Sequence, residues 1–146
     1  MKSISEELNL NNQKILLRLD LNVPLIDNKI TDTTRIDKIL PTLKFLISQN
    51  AKIIIISHVG RPKGEVVNEL SLRPICKDLE MKLRQNIKLI SKDIKEINSE
   101  NLFDNDDEKI IMLENIRFYP EEEKNNPKFA KHLASLADIY VNDAFS

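Results

Sequence analysis

The feature of this sequence that most constrains its fold is a run of four isoleucines at residues 53–56. The run has the length of a strand, its β-branched residues favour extended backbone, and no polar residue interrupts it. The predicted strand, residues 51–57 (AKIIIIS), needs apolar cover on both faces, which is typical of the interior of a parallel sheet. Residues 109–113 (KIIML) form a second segment of the same type. The sequence therefore predicts a parallel sheet with helices on both sides.

Further strands and helices are predicted to alternate along the chain. The other predicted strands are residues 14–21, 86–90 and 139–142. The predicted helices are a segment with an apolar stripe from Ile36 to Ile47, residues 71–84, a weak polar helix at 91–103, and residues 127–136. Pro41 is expected to break the first of these into a short turn and a longer helix. This order predicts an α/β fold, a three-layer α/β/α doubly wound parallel sheet.

The charge and cysteine content argue against several classes of protein. The 146 residues carry 22 basic and 23 acidic side chains, which gives a net charge of -1. This balance lacks the excess of positive charge that binding to nucleic acid or to an anionic membrane favours. The single cysteine, Cys76, excludes an internal disulfide and disfavours a zinc cluster, and its apolar neighbours predict a buried core thiol. The first residues do not resemble a secretory signal and no apolar run reaches membrane-spanning length, so we expect a cytoplasmic location.

The glycine content restricts how these residues can bind phosphate. Only two glycines occur, Gly60 and Gly64, so the sequence contains neither a GxGxxG dinucleotide loop nor a Walker A loop. No carboxylate pair is placed for acid–base work, and no Ser–His–Asp order stands out. Phosphoryl transfer needs neither, because it depends on positioning and on stabilising the charge of the transferred group. Phosphate chemistry in these residues must therefore use side chains.

Polar residues follow the predicted strands at the points where the strands end. In a parallel sheet, ligands bind in the crevice beyond the carboxyl ends of the strands. Arginine forks bind carboxylate and phosphate in a bidentate manner, and three at one site suit a small ligand with more than one anionic group. The sequence therefore predicts an anion-binding α/β domain. If the domain belongs to an enzyme, we interpret it as one half of a kinase. The strand-end residues are Asp20, Asn22 and Arg35, then Ser57, His58 and Arg61, then Glu114, Asn115 and Arg117, and finally Asn142 and Asp143.

Several of these residues also have an ordinary structural interpretation; Arg61, for example, precedes Pro62 and can simply hold a loop. Asp20 and Asn22 are common turn residues. Arg35 can form a solvated surface pair with a neighbouring aspartate, and His58 can cap a strand. Arg117 can extend to water from between two apolar neighbours. The chain's other histidine, His132, lies opposite the apolar stripe of its predicted helix and is expected at the surface.

Several motifs together resemble the phosphoglycerate kinase family. They occur in the family's order and cover the chain from about residue 14 to its end. The motifs are residues 20–24 (DLNVP), 31–36 (TDTTRI), 40–43 (LPTL), 57–64 (SHVGRPKG), 113–118 (LENIRF) and 141–145 (VNDAF). The resemblance implies reversible phosphoryl transfer between 1,3-bisphosphoglycerate and ADP, giving 3-phosphoglycerate and ATP in glycolysis. It also implies an N-terminal domain that binds the phosphoglycerate and a second domain that binds Mg-ADP or Mg-ATP.

The resemblance implies roles for individual residues. Asp20 and Asn22 resemble the residues that hold the glycerate, and Arg117 resembles the arginine that grips the phosphate. Arg35 resembles the catalytic arginine that contacts substrate and neutralises the transferring phosphoryl group. His58 and Arg61 resemble members of the family's basic patch. The full set of predicted substrate-binding residues is Asp20, Leu21, Asn22, Arg35, His58, Val59, Gly60, Arg61 and Arg117.

The resemblance also implies that residues 1–146 are an incomplete phosphoglycerate-binding domain. A further substrate arginine, a sixth strand, the hinge and the nucleotide domain of the family would lie outside it. We therefore expect no cofactor or metal in these residues, no nucleic-acid or membrane partner, and no kinase activity from them alone. The alternative is a non-catalytic anion-binding module or an inert fragment. The last strand is expected to pair with the first and to leave an unprotected edge, through which the chain self-associates, whereas a full-length family member is expected to be monomeric.

Overall fold

The computed structural model of the chain describes residues 10–19, 21–23, 25–26, 29–60, 62–100, 102–103 and 108–143. The strands within these ranges are β1 (Lys14–Leu19), β2 (Leu25–Ile26), β3 (Lys29–Ile30), β4 (Lys52–Ile56), β5 (Lys88–Ile90), β6 (Ile110–Leu113) and β7 (Ile139–Asp143). The helices are α1 (Thr34–Ser48), α2 (Arg73–Leu83), α3 (Pro120–Glu123) and α4 (Pro127–Ser135). Single 3₁₀ turns lie at Asn68–Leu70, Ile94–Glu96 and Ile116–Phe118.

Five of these strands form one parallel sheet in the order β5-β6-β4-β1-β7. The isoleucine run occupies β4 at its centre, where Ile54 is in register with Leu16 on one side and Ile111 on the other. The strands β2 and β3 form a separate antiparallel ribbon that the sequence did not predict. The predicted fold class is confirmed, and β7 pairs with β1 as the family resemblance implied.

Helices and turns cover both faces of the sheet. Ile53 and Ile55 belong to the core under α1 and α2, whereas Ile54 and Ile56 belong to the core under α4. All four isoleucines are fully buried, as an uninterrupted apolar strand requires. The apolar stripes that meet them are Ile36, Ile39, Leu43 and Leu46 of α1, Ile75, Cys76 and Leu79 of α2, and Phe129 and Leu133 of α4.

The path of the chain reverses between β4 and β6. After β4 the chain continues through α2, on the face that carries α1, to the edge strand β5. After β6 it returns through α4, on the opposite face, to β7 at the other edge. Neighbouring strands whose following segments leave on opposite faces form a topological switch point, and a crevice opens beyond their carboxyl ends.

The predicted break at Pro41 is wrong, because α1 is continuous from Thr34 to Ser48. Proline has no N–H to donate to the carbonyl of Asp37, one turn earlier. Both residues lie on the exposed side of the helix, where water can satisfy that carbonyl. The apolar stripe on the opposite side is uninterrupted, so packing on the sheet holds the helix together.

The predicted helix at 91–103 is also wrong. Among the described residues of this segment only the 3₁₀ turn Ile94–Glu96 is helical, and the Asp93 side chain caps it by accepting a hydrogen bond from Lys95 N. Ile94 and Ile97 are buried three residues apart, which anchors a short turn but gives too narrow a stripe for a longer helix.

The turn Ile94–Glu96 also changes the environment of His132. Its Nε2 lies 2.8 Å from the carbonyl oxygen of Ile94, and the side chain is half-buried rather than at the surface as predicted. The helical pattern of α4 carries no information about a turn that packs beside it. That contact is decided by tertiary structure.

Cys76 is the predicted core thiol. It is 3% exposed in α2, and its Sγ lies 3.6 Å from the carbonyl oxygen of Ile87. Burial raises the pKa of the thiol from 9.0 to about 11. The thiolate is the nucleophilic form, so both burial and the raised pKa oppose reaction.

We expect Cys76 to react with Ellman's reagent very slowly at pH 8 in the folded chain and readily in denaturing urea. The folded chain holds the thiol proton more tightly than the unfolded chain does. The corresponding contribution to stability is present below about pH 9 and is lost as the pH rises toward 11. The rate of reaction is measured by absorbance. If Cys76 reacted as fast in the folded chain at pH 8 as in urea, it would not be a buried thiol.

Candidate functional site

The carboxyl ends of β1 and β4 are joined by the buried side chain of Ser57. Its hydroxyl donates to the carbonyl oxygen of Leu19 at 2.8 Å and accepts from the Leu21 N–H at 3.0 Å. The backbone on either side of position 20 is therefore fixed beside β4. Leu21 is itself fully buried, whereas Asp20 lies outside the described residues.

Asn22 connects the segment after β1 to the loop after β4. Its Oδ1 accepts a hydrogen bond from the backbone N–H of Gly60 at 3.0 Å. Gly60 has a φ of +64°, a left-handed conformation that favours glycine, and a Cβ there would also force the end of the Leu70 side chain, 2.6 Å away, to move. The neighbouring Val59 is buried and anchors the loop in the core.

Asn115 ties the loop after β6 to the loop after β4. The side chain is completely buried, and its Nδ2 donates to the carbonyl oxygens of Val59 and Leu70, each at 2.9 Å. Its Oδ1 accepts from the Arg117 N–H at 3.0 Å. Both donors and the acceptor of the carboxamide are thus used inside the protein.

Arg117 is held by a short turn with buried neighbours. It is the central residue of the 3₁₀ turn Ile116–Phe118, and the residues on both sides of it are buried. Its carbonyl oxygen accepts from the Gly64 N–H at 3.2 Å, which brings the loop after β4 against the turn. The Arg117 side chain is half-exposed, so the guanidinium sits on a fixed backbone with access to water.

Glu114 fixes the same loop to the start of α2. Its carboxylate accepts from the Leu72 N–H at 2.7 Å, the Ser71 hydroxyl at 2.6 Å and the Asn115 N–H at 2.8 Å. A carboxylate with three donors is well satisfied and is placed for a structural role rather than for acid–base chemistry.

Arg35 stands at the start of α1. Because α1 connects two adjacent parallel strands, β1 and β4, its first turn lies at the carboxyl edge of the sheet. The Arg35 side chain is exposed. Asp32 accepts hydrogen bonds from the hydroxyl and N–H of Thr34, and these bonds, aided by the charge of Arg35, lower the pKa of the Asp32 carboxyl.

The structure brings most of the described candidates to one edge. Leu21, Asn22, Val59, Gly60 and Arg117 are linked by the bonds above, His58 lies half-buried between two linked residues, and Arg35 starts the helix at that edge. Arg61, like Asp20, lies outside the described residues.

The predicted substrate set omitted the three side chains that hold this framework together. Ser57 and Asn115 are buried polar residues at strand ends, and Glu114 is half-buried beside them. The sequence did offer one indication of these residues, since each of them follows an apolar strand directly or after one residue. The bonding partners themselves lie far away in sequence. At the other end of the chain, Asn142 and Asp143 lie within β7 rather than beyond it.

The described residues contain no group of three or more His, Cys, Asp or Glu side chains that could hold a metal ion. The sequence also has only two glycines, so no glycine-rich loop is present to cradle a polyphosphate. In the same described ranges, no helix has the length and apolar character needed to cross a membrane.

Comparison with known proteins identifies the family. The family model for phosphoglycerate kinase matches residues 5–146. The chain belongs to the phosphoglycerate kinase family. It is 46% identical over 141 residues to the phosphoglycerate kinase of Moorella thermoacetica, covering 96% of this chain and 36% of the relative. It is 50% identical over 141 residues to that of Wolbachia pipientis wMel, covering 97% of this chain and 35% of the relative.

Solved structures of phosphoglycerate kinases have the same fold over this region. The enzyme from Coxiella burnetii superimposes with a TM-score of 0.83 at 40% identity, covering 95% of this chain and 34% of that one. The enzyme from Pyrococcus horikoshii OT3 gives a TM-score of 0.79 at 30% identity, covering 96% and 36%. The chain therefore spans about a third of the length of the phosphoglycerate kinases it matches.

We expect Asn115→Ala to lower the free energy of unfolding by at least about 1–3 kcal/mol, the cost of leaving a buried hydrogen-bonding group unpaired. The variant removes the partners of Val59, Leu70 and Arg117. Asn115→Asp should be no more stable, because it loses both N–H donors and buries a charge beside two carbonyls. Urea unfolding measures each change. The exposed Asn86→Ala is the control, expected within about 0.5 kcal/mol of the parent; an equally small effect at Asn115 would contradict the framework.

Proposed function

We propose that this chain is the phosphoglycerate-binding part of a phosphoglycerate kinase. The complete enzyme would transfer a phosphoryl group reversibly between 1,3-bisphosphoglycerate and ADP, giving 3-phosphoglycerate and ATP. Membership of the family supports the reaction. The chain covers about a third of each relative, which supports the proposal that the two substrates bind to different parts of the complete enzyme. The acceptor side would lie in these residues and the nucleotide side in a second domain.

The observation that carries the proposal is the hydrogen-bonded junction of the loops after β1, β4 and β6. Asn22 binds Gly60, Asn115 binds Val59, and Arg117 binds both Asn115 and Gly64. The junction lies beside the switch point between β4 and β6, where a ligand crevice is expected. Loops joined in this way hold their side chains at set positions before the ligand arrives, which reduces the entropy lost on binding.

The chemistry of the candidate residues suits a ligand with a carboxylate at one end and a phosphate at the other. Asp20 and Asn22 would hold the glycerate hydroxyl and carboxylate. Arg117 would grip the phosphate through its planar fork, and His58 with Arg61 would add positive charge around it. A substrate held at both ends is oriented for in-line transfer, and orientation of this kind can supply about 7–11 kcal/mol of barrier lowering.

Arg35 would act during phosphoryl transfer, after the phosphoglycerate has bound. It is exposed at the first turn of α1, so it is accessible to a phosphoryl group that arrives from a nucleotide. A guanidinium there would neutralise charge on the transferring group and stabilise the transition state more than the bound substrate.

The remaining parts of the proposal follow from the family. Mg-ATP or Mg-ADP would bind to the second domain and supply the phosphoryl donor or acceptor. The enzyme would act in glycolysis and gluconeogenesis in the cytoplasm. Inactivity of residues 1–146 alone and self-association through the free side of β7 stay predictions. A non-catalytic anion-binding module is the competing function, and binding without turnover in the completed enzyme would favour it.

We expect Arg117→Ala to weaken binding of 3-phosphoglycerate to the chain by about one to two decades. Loss of a charge-assisted contact costs on the order of 1.5–3 kcal/mol. Isothermal titration calorimetry, or NMR titration for weak binding, measures the change. Lys131→Ala, an exposed cation on α4, is the matched control and should bind like the parent. Equal affinities for the two variants would remove Arg117 from the site.

Arg35→Ala is expected to lower kcat more than it raises KM in a chimera that joins residues 1–146 to the remaining part of the Moorella thermoacetica enzyme. The interaction forms fully only in the transition state, so ground-state binding changes less. Arg35→Lys should restore little, because a lysine lacks the planar fork. A steady-state coupled assay gives both constants. A kcat within a few-fold of the parent chimera would show that Arg35 is not catalytic.

A further inference from the structure

A cavity of about 650 Å³ lies beyond the carboxyl ends of β5 and β6, against the first turns of α2. Its size is within the range of small-molecule sites. None of the described substrate candidates lines it. Its walls come from three segments: the approach to α2 and its first turns, the segment after β5, and the loop after β6, represented by Arg73, Lys77, Ser91, Asp93, Phe118 and Tyr119.

The carboxylates that line this cavity already have hydrogen-bonding partners in the protein, whereas its cations have no ion-pair partner among the described residues. The Asp93 carboxylate already accepts a hydrogen bond from Lys95 N at 2.9 Å, and that of Glu114 accepts three. Arg73 and Lys77 are exposed one turn apart on α2, and neither side chain has an ion-pair partner among the described residues. The two cations and two carboxylates of the lining cancel formally, but the carboxylates already accept hydrogen bonds from the protein, whereas the two cations can still pair with a ligand anion.

Two aromatic side chains, Phe118 and Tyr119, also line the cavity. Phe118 is buried in its turn, and the Tyr119 ring packs on Phe129 with ring centroids 5.4 Å apart. The Tyr119 hydroxyl accepts from the Ile94 N–H at 2.9 Å, which leaves its own proton free to donate. Val66 also lines the cavity and is 75% exposed, so it offers an apolar surface that the protein leaves uncovered.

We propose that this cavity is a binding site for a small molecule with an aromatic or apolar body and one anionic group. The body would lie against Phe118, Tyr119 and Val66, and the anion would lie between Arg73 and Lys77. Apolar contact would supply most of the affinity, and the two cations would select for a negative charge. The site is separate from the strand-end junction, so it does not depend on the proposed kinase function.

The probe is 2-naphthoate, titrated into the full chain and followed by ¹H–¹⁵N NMR. We expect saturable shifts at Arg73, Lys77, Ser91 and Tyr119. The neutral amide of the same acid should bind at least about fivefold more weakly, because it lacks the charge. Saturating 3-phosphoglycerate should leave the affinity for naphthoate unchanged. Displacement by 3-phosphoglycerate, or an absence of shifts at the cavity, would overturn the proposal.

Two double variants distinguish the local effect of Arg73 and Lys77 from the effect of changing the net charge of the chain. Arg73→Ala with Lys77→Ala should weaken naphthoate binding at least about fivefold, down to the affinity of the amide. Both positions are exposed and helical, where alanine is well tolerated, and circular dichroism checks the fold. Lys128→Ala with Lys131→Ala removes the same charge from exposed positions on α4 and should leave binding unchanged. Equal binding by the two double variants would refute the assignment.

Discussion

Burial of β4 on both faces is the constraint on which the rest of this structure depends. Four consecutive isoleucines cannot face water, so helices must lie on both sides and the neighbouring strands must run parallel. Parallel strands place all their carboxyl ends at one edge. The same requirement that makes the core therefore also collects the loops that carry Asn22, His58 and Arg117.

Beyond the ends of the strands, buried and half-buried polar side chains hold the chain together in place of sheet hydrogen bonds. Ser57, Glu114 and Asn115 have hydrogen-bonding partners at the ends of other strands or at the start of α2. Polar groups in such surroundings are costly unless they are satisfied, and here they are. Their satisfaction sets the backbone of the loop after β6, which carries Arg117 and, directly after it, the Phe118 and Tyr119 that line the 650 Å³ cavity. The same loop therefore contributes residues both to the strand-end junction and to the cavity.

The sequence by itself determined the sheet, most of its helices and the edge at which the candidate residues meet. Apolar runs and stripes are local properties, so β1, β4, β6, α2 and α4 lie close to their predicted positions. The motifs from residue 20 onward pointed to the phosphoglycerate kinase family, and the comparisons confirm it. The candidate site was predictable to the level of which loops meet, because parallel strands leave their carboxyl ends together.

Only the tertiary structure decided the rest, because those features depend on partners that are distant in sequence. Asn115 bonds to Val59, 56 residues away, and His132 lies against Ile94, 38 residues away. Pro41 does not break α1, since its missing hydrogen bond falls on the water-exposed side while sheet packing holds the other. Residues 91–103 were predicted to be helical, but anchoring of single isoleucines on the sheet outweighs a weak local preference. Local pattern sets which side chains must be buried, and the packed chain sets which of them meet.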